Sequence, residues 1–237
     1  MLIKTFLVAL AACATALPEL TAAKNNVARA DTIDRLVFCH FIVSAYSDLY
    51  VKLLMIKVGI VSNRQSAADY DADMKQAKEL GIDAFALNIG DDSFTNAQLD
   101  YAYESAADND MKVFISFDFN WYGVDQAADV GAKIAQYMNK PGQLMVDGKV
   151  FVSSFLGDGI NVAQIEESAG TDIFWAPNYH PGQGNFDDVD SALNWMAWDS
   201  DGNNKAPKPG MNITVAEGDQ TYIAALNGKP YIARESP

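Results

Sequence analysis

The sequence predicts a (β/α)8 barrel of the TIM type, and three observations predict it. Strand-like and helix-like segments alternate along most of the chain after residue 36. Several of the strand-like segments are near-continuous apolar runs, as expected of strands buried on both faces of a parallel sheet. Polar and aromatic residues recur just after several different strands. A barrel gathers such positions on one face, whereas an open doubly wound sheet, the rival architecture, gathers them mainly at a switch point.

The first 23 residues read as a signal peptide. Lys4 supplies a basic n-region, residues 6–14 an apolar h-region, and Ala14-Thr15-Ala16 an A-x-A cleavage site, with cleavage after Ala23 as the alternative. A secreted, extracellular protein is therefore expected, with residues 24–237 as its catalytic domain. Cys13 would leave with the signal, and Cys39 alone cannot make an intrachain disulfide.

Residues 36–42 form the first strand-like run. A helix follows at 69–80 and ends at Gly81, placed as a C′ glycine. Next come a strand at 84–88, a helix at 96–107, a strand at 113–118 and a helix at 125–138. A strand at 149–155, a helix at 162–169 and a strand at 173–177 continue the pattern. The last segments are a strand at 193–198, a short helix at 220–226 and a strand at 230–233. A barrel needs one more strand to close, so the sequence is expected to stop one strand–helix unit short. The apolar block 43–57 breaks the rhythm after the first strand. Asp48, Lys52 and Lys57, in so short a run, exclude a membrane span. Two readings remain for it, an amphipathic insertion and a retained intron.

Composition narrows the function. A chain of 237 residues suits one barrel domain, typically about 250 residues. With 49% apolar and 20% charged residues it is globular, not disordered. A net charge of −14 argues against nucleic acid and anionic membranes as partners. No Ser stands in a G-x-S-x-G elbow, and no P-loop or dinucleotide fingerprint follows a strand. Two histidines, His40 and His180, do not suffice for a His-rich zinc site, so no metal is expected. Asp199, Asp201 and Asn203 imitate the start of a calcium loop, but the glycine is misplaced and the closing Glu is missing.

The candidate site residues stand at strand ends. Asn88, Asp91 and Asp92 follow the second strand; Asp118, Asn120 and Trp121 follow the third. Asn178 and His180 follow the fifth strand, which holds Trp175; Trp198 lies near the sixth and His40 inside the first. Carboxyl groups, amides and aromatic faces are what a sugar-binding cleft uses. Glycosidic cleavage needs one carboxyl to protonate the leaving oxygen and another to activate water or attack the ring. Asp91 and Asp92 would equally serve as helix caps, and His40 as a core histidine. Asn212-Ile213-Thr214 is an N-glycosylation sequon in a Pro/Gly/Asn-rich stretch.

Several ordered blocks carry a family resemblance. Residues 81–90 (GIDAFALNIG), 101–107 (YAYESAA), 112–120 (KVFISFDFN), 147–155 (DGKVFVSSF), 176–184 (APNYHPGQG), 193–198 (LNWMAW) and 229–233 (KPYIA) resemble the fungal α-1,3-glucanases, or mutanases, of glycoside hydrolase family 71. The resemblance implies a secreted endo-hydrolase of α-1,3-glucan that inverts the anomeric carbon, with the carboxyls roughly 6.5–9.5 Å apart. It implies Asp92 as the first catalytic residue and Asp118 as the second, or as a substrate holder. It implies no cofactor, a polysaccharide as partner and a monomer. Two departures from the family are block 43–57 and the absence of a Trp-Asn-Asp-Tyr-Gly-Glu block, the expected source of further carboxylates. On that ground the chain is expected to be inactive. A non-catalytic carbohydrate-binding protein, and a barrel hydrolase of another polysaccharide, stay open beside the leading reading.

Overall fold

Apolar runs become strands at the expected places, and the amphipathic segments between them wind into helices. The computed structural model describes residues 36, 38–42, 64–195, 199, 210 and 212–233. The expected signal peptide, block 43–57, Trp198 and the side chain of His40 lie outside the described residues.

Strands β1 (Phe38–Ile42), β2 (Ala84–Ile89), β3 (Lys112–Asp118), β5 (Lys149–Phe155) and β6 (Ile173–Asn178) lie side by side, all parallel. The two-residue strand β4 (Met145–Val146) runs antiparallel to β5. Strands β7 (Ala192–Leu193) and β8 (Tyr231–Ile232) form a separate parallel pair. The helices are α1 (Ala68–Glu79), α2 (Thr95–Asp108), α3 (Ala127–Tyr137), α4 (Val162–Ala169) and α5 (Val215–Leu226). The described residues thus form a mixed α/β fold with a mostly parallel sheet. Their pairing gives two sheets and not one closed ring.

Because side chains alternate along a strand, each apolar run feeds two cores. Phe85, Leu87, Val113, Ile115, Val152, Ile173 and Trp175 point to one face, where residues of all five helices cover them: Met74, Leu99, Ile134, Ile165 and Tyr222 among others. The opposite face is filled by Ala84, Ala86, Phe114, Phe151, Phe174 and Ala176. Its rings meet edge-on between Phe114 and Phe151 (4.6 Å) and stack between Phe151 and Phe174 (5.3 Å). Phe38 of β1 and Ile232 of β8 both pack on this second cluster.

Three elements depart from the sequence reading. The β4–β5 hairpin turns on Asp147-Gly148, both with positive φ (52° and 78°), a dipeptide that specifies this kind of two-residue turn. Helix α5 begins at Val215, five residues before its expected start, because Thr214 and Glu217 form a capping box. Strand β7 covers Ala192–Leu193, where the sequence predicts 193–198; residues 196–198 lie outside the described set. Helices α3 and α4 meet closely at Gly131, where an added Cβ would sit 2.3 Å from the Ile165 carbonyl oxygen.

Candidate active site

Parallel pairing puts the C-terminal ends of the long strands on one edge. Asp118, Phe155 and Asn178 stand in register across β3, β5 and β6. Two residues earlier on each of these strands, Ser116, Ser153 and Ala176 form the layer beneath, with Asn88 of β2 beside Ser116. These positions share the parity of Ala86, Phe114, Phe151 and Phe174, and so belong to the face opposite the one that the described helices cover.

Asp118 ends a strand in which residues 113–117 are buried, and is itself half-buried. Burial pushes its pKa above the usual 3.8, and two hydrogen bonds from Asn120 oppose the shift. Asn120 donates to Asp118 Oδ1 from its backbone N (2.9 Å) and its side-chain Nδ2 (2.8 Å). The turn closes as Trp121 and Tyr122 donate their backbone N–H groups to the Asp118 carbonyl (2.9 and 3.2 Å). This places Trp121 outward, 65% exposed, as a free aromatic face.

Trp121 leans over the end of β2. A Cβ added at Gly90 would lie 3.1 Å from the indole and 3.4 Å from Asp92 Oδ2, so the ring and the carboxylate flank the same backbone atom. A larger residue at 90 would part them. Tyr122 locks the arrangement by donating its hydroxyl to the Gly90 carbonyl (3.2 Å). Burial, followed by the charges of Asp91, Asp129 and Asp92, pushes that hydroxyl up to about 12, so it keeps its proton. Asp91 and Asp92 are exposed, and neither caps α2: its N-cap is Phe94, with no side-chain cap bond. A pocket of about 250 Å³ opens beside Asp92, lined by Thr95, Asn96, Tyr122 and Lys133. Lys133 binds Asn96 Oδ1, and burial lowers its pKa.

The remaining expected residues divide. His180, after β6, is half-buried at the same edge. Asn178 is fully buried and braces the β6–β7 region, donating to the Leu193 carbonyl (2.8 Å) and the Tyr222 hydroxyl (3.0 Å). Asn88 is buried, with a long bond of 3.4 Å to the Ser116 carbonyl. Trp175, expected to bind substrate, instead points to the helix-covered core. It is fully buried and donates its indole N–H to Tyr179 Oη (2.9 Å), because odd-numbered residues of β6 face the helices. Asn212 is exposed, just ahead of α5. Asp158, a half-buried carboxyl just beyond β5, is absent from the residues that the sequence singles out. A signal for it exists in the Gly157-Asp158-Gly159 triplet at a strand end, where glycines let the chain bend sharply. Among the described residues, no cluster of three His, Cys, Asp or Glu could hold a metal ion, and no helix is long and apolar enough to cross a membrane.

The model of the family described as glycosyl hydrolase family 71 matches residues 33–237. A mutanase of Penicillium rubens is 35% identical over 243 aligned residues, covering 100% of this chain and 50% of that protein. A glucan endo-1,3-alpha-glucosidase of Schizosaccharomyces pombe is 33% identical, covering 73% of this chain and 43% of the relative. An ascus wall endo-1,3-alpha-glucanase of the same yeast is 24% identical, with 72% and 42% covered. The chain spans about half the length of the curated relatives it matches, or somewhat less.

Proposed function

The chain belongs to glycosyl hydrolase family 71, and on that premise we propose that it acts as a secreted, inverting endo-hydrolase of α-1,3-glucan. The observation that carries the reading is the placing of Asp92 beside the exposed face of Trp121, over Gly90, at the C-terminal edge of parallel strands. An exposed indole offers apolar area to the C–H face of a glucose ring, and the adjacent carboxylate reaches the atoms of the linkage. The names of the relatives supply the linkage, α-1,3, and the endo mode.

The carboxyl pair is Asp92 and Asp118. Burial raises the pKa of Asp118, the direction that favours a proton donor, while the exposed Asp92 is open to an attacking water. In the inverting step Asp118 gives its proton to the glycosidic oxygen as the C1–O bond breaks. Water attacks C1 from the opposite face, and Asp92 takes the proton that the water loses. Asn88, Asp91, Asn120 and His180 would hold sugar hydroxyls.

The architecture we propose for the site is a (β/α)8-type barrel. In its support, the described helices cover one face of the sheet only, whereas an open doubly wound sheet carries helices on both. Phe38 and Ile232 meeting on one cluster fits a sheet curling toward closure. Residues 1–23 act as the signal for export, and Asn212 is the glycosylation site on the exported chain.

The test is reducing-sugar release from insoluble α-1,3-glucan by the full chain, with β-1,3-glucan as control. Release from the α-linked polymer by the parent would overturn the sequence-based expectation of an inactive chain, and it should then fall at least about a hundredfold in Asp92→Asn. Undiminished release by that variant removes Asp92 from the mechanism. Glucan pull-down without sugar release would assign the chain to carbohydrate binding instead.

A further inference from the structure

Asp158 reaches its place through a costly stretch of backbone. Immediately after β5, Leu156 takes a left-handed conformation (φ 59°), and Gly157 and Gly159 follow at 99° and 90°. A leucine at positive φ is unfavourable, and such strain persists only where the surroundings fix it. Ser154 does so by donating its hydroxyl to the Leu156 carbonyl (2.6 Å). Position 157 admits no side chain, since a Cβ there would meet the Phe119 ring at 2.7 Å.

The bend delivers the Asp158 carboxylate to the segment after β6. Its Oδ1 accepts the His180 backbone N–H at 2.7 Å. The next residues curl tightly, with the N–H groups of Gln183 and Gly184 both donating to the His180 carbonyl (2.9 Å each). Gly184 passes so near that an added Cβ would lie 2.5 Å from Tyr179 Cβ and 3.0 Å from Asp158 Oδ1. The imidazole is held too: Gly182 donates its N–H to His180 Nδ1 (3.1 Å). An Nδ1 that accepts leaves the proton of the neutral ring on Nε2.

We propose that Asp158 is a positioning residue which, by anchoring the 180–184 turn, presents the His180 Nε2–H as a hydrogen-bond donor to a glucose hydroxyl of the bound glucan. The inference rests on the glucan reading above. Asp158 acts through the turn and does not itself touch the sugar. What the turn needs from position 158 is an acceptor oxygen, not a charge.

The experiment measures binding of soluble α-1,3-linked gluco-oligosaccharides to the full chain by calorimetry, together with the imidazole ¹⁵N spectrum of His180. Asp158→Ala and His180→Ala should each weaken binding about tenfold, the worth of one hydrogen bond to a sugar. The double variant should be no weaker than either single, because both remove the same contact. Asp158→Asn keeps an acceptor for the His180 amide and should bind within about threefold of the parent. The spectrum should show the Nε2–H form in the parent and in Asp158→Asn, and a mixture of tautomers in Asp158→Ala. Gly184→Ala, which displaces the turn while keeping both side chains, should behave as Asp158→Ala, and it carries the test if that variant does not fold. Equal losses in the Asn and Ala variants, additive losses in the double variant, or parent-like binding by Asp158→Ala would each overturn the proposal. A parent chain that binds no α-1,3-linked oligosaccharide overturns the glucan reading, and the role assigned to Asp158 in it; the spectra then show separately whether the anchor itself exists.

Discussion

Replacing Trp121 with alanine removes the aromatic face beside Asp92 while leaving the fold almost untouched. Trp121 is 65% exposed, so little of its surface supports the core. A tryptophan presents on the order of 150–250 Å² for burial. If a glucose ring covers the outward face alone, roughly 80 Å² of apolar area leaves water on binding. At about 25 cal/mol per Å² that is about 2 kcal/mol, or roughly thirtyfold in affinity. The thermal midpoint should move by less than about 2 °C, since truncation of an exposed side chain usually costs under 0.5 kcal/mol. Calorimetric titration with α-1,3-linked gluco-oligosaccharides, run beside thermal melts of both proteins, measures both quantities. A dissociation constant within twofold of the parent would mean that no sugar stacks on Trp121, and the placing of the cleft at the β2–β3 edge would fall with it.

Three further perturbations test other parts of the structure. Gly131→Ala puts a methyl 2.3 Å from the Ile165 carbonyl and 2.6 Å from Ser168 Cβ, where backbone must move. The overpacking should outweigh the helix propensity gained and destabilise by about 1–3 kcal/mol in a denaturant melt; an unchanged midpoint would contradict the close α3–α4 contact. Asp118 has a folded-state pKa raised above its ordinary 3.8. Its contribution to stability is therefore whole below that value and is lost as pH rises through the folded-state pKa. Asp118→Asn, which keeps an oxygen for the Asn120 donors, should gain stability relative to the parent as pH climbs above 3.8, even as activity is lost. Melts from pH 3 to pH 7 in which the variant lost ground with rising pH would refute the sign. Thr214→Ala deletes the α5 capping box and should cost about 1 kcal/mol, read from the shift in urea midpoint. It also removes the sequon, so, on the export and glycosylation proposed above, the chain recovered from the medium should run at lower mass.

Asp92 and Asp118, the carboxyl pair proposed above, can be picked out in the sequence because each stands at the end of a strand-like apolar run. Asp158 cannot, because the role proposed for it rests on contacts with His180 and Gly184, which belong to the next strand's loop. Trp175 shows the opposite error. A tryptophan near a strand end suggests a sugar platform, but the register decides which face it takes, and here that face is under the helices. The β4–β5 hairpin and the start of α5 do have short-range signals, in Asp147-Gly148 and in Thr214 to Glu217, but hydrophobic periodicity alone does not register them.

The sequence by itself determined the order of the long strands and helices, the acidic composition and the family blocks, since periodicity, composition and motif are properties of neighbours along the chain. Only the tertiary structure decided that Trp121 and Asp92 flank Gly90, that Trp175 is core, and that Asp158 ties β5 to the turn after β6. Each of those outcomes depends on the register and curl of parallel strands. These are set by packing between segments distant in sequence, and no local run of residues encodes them alone.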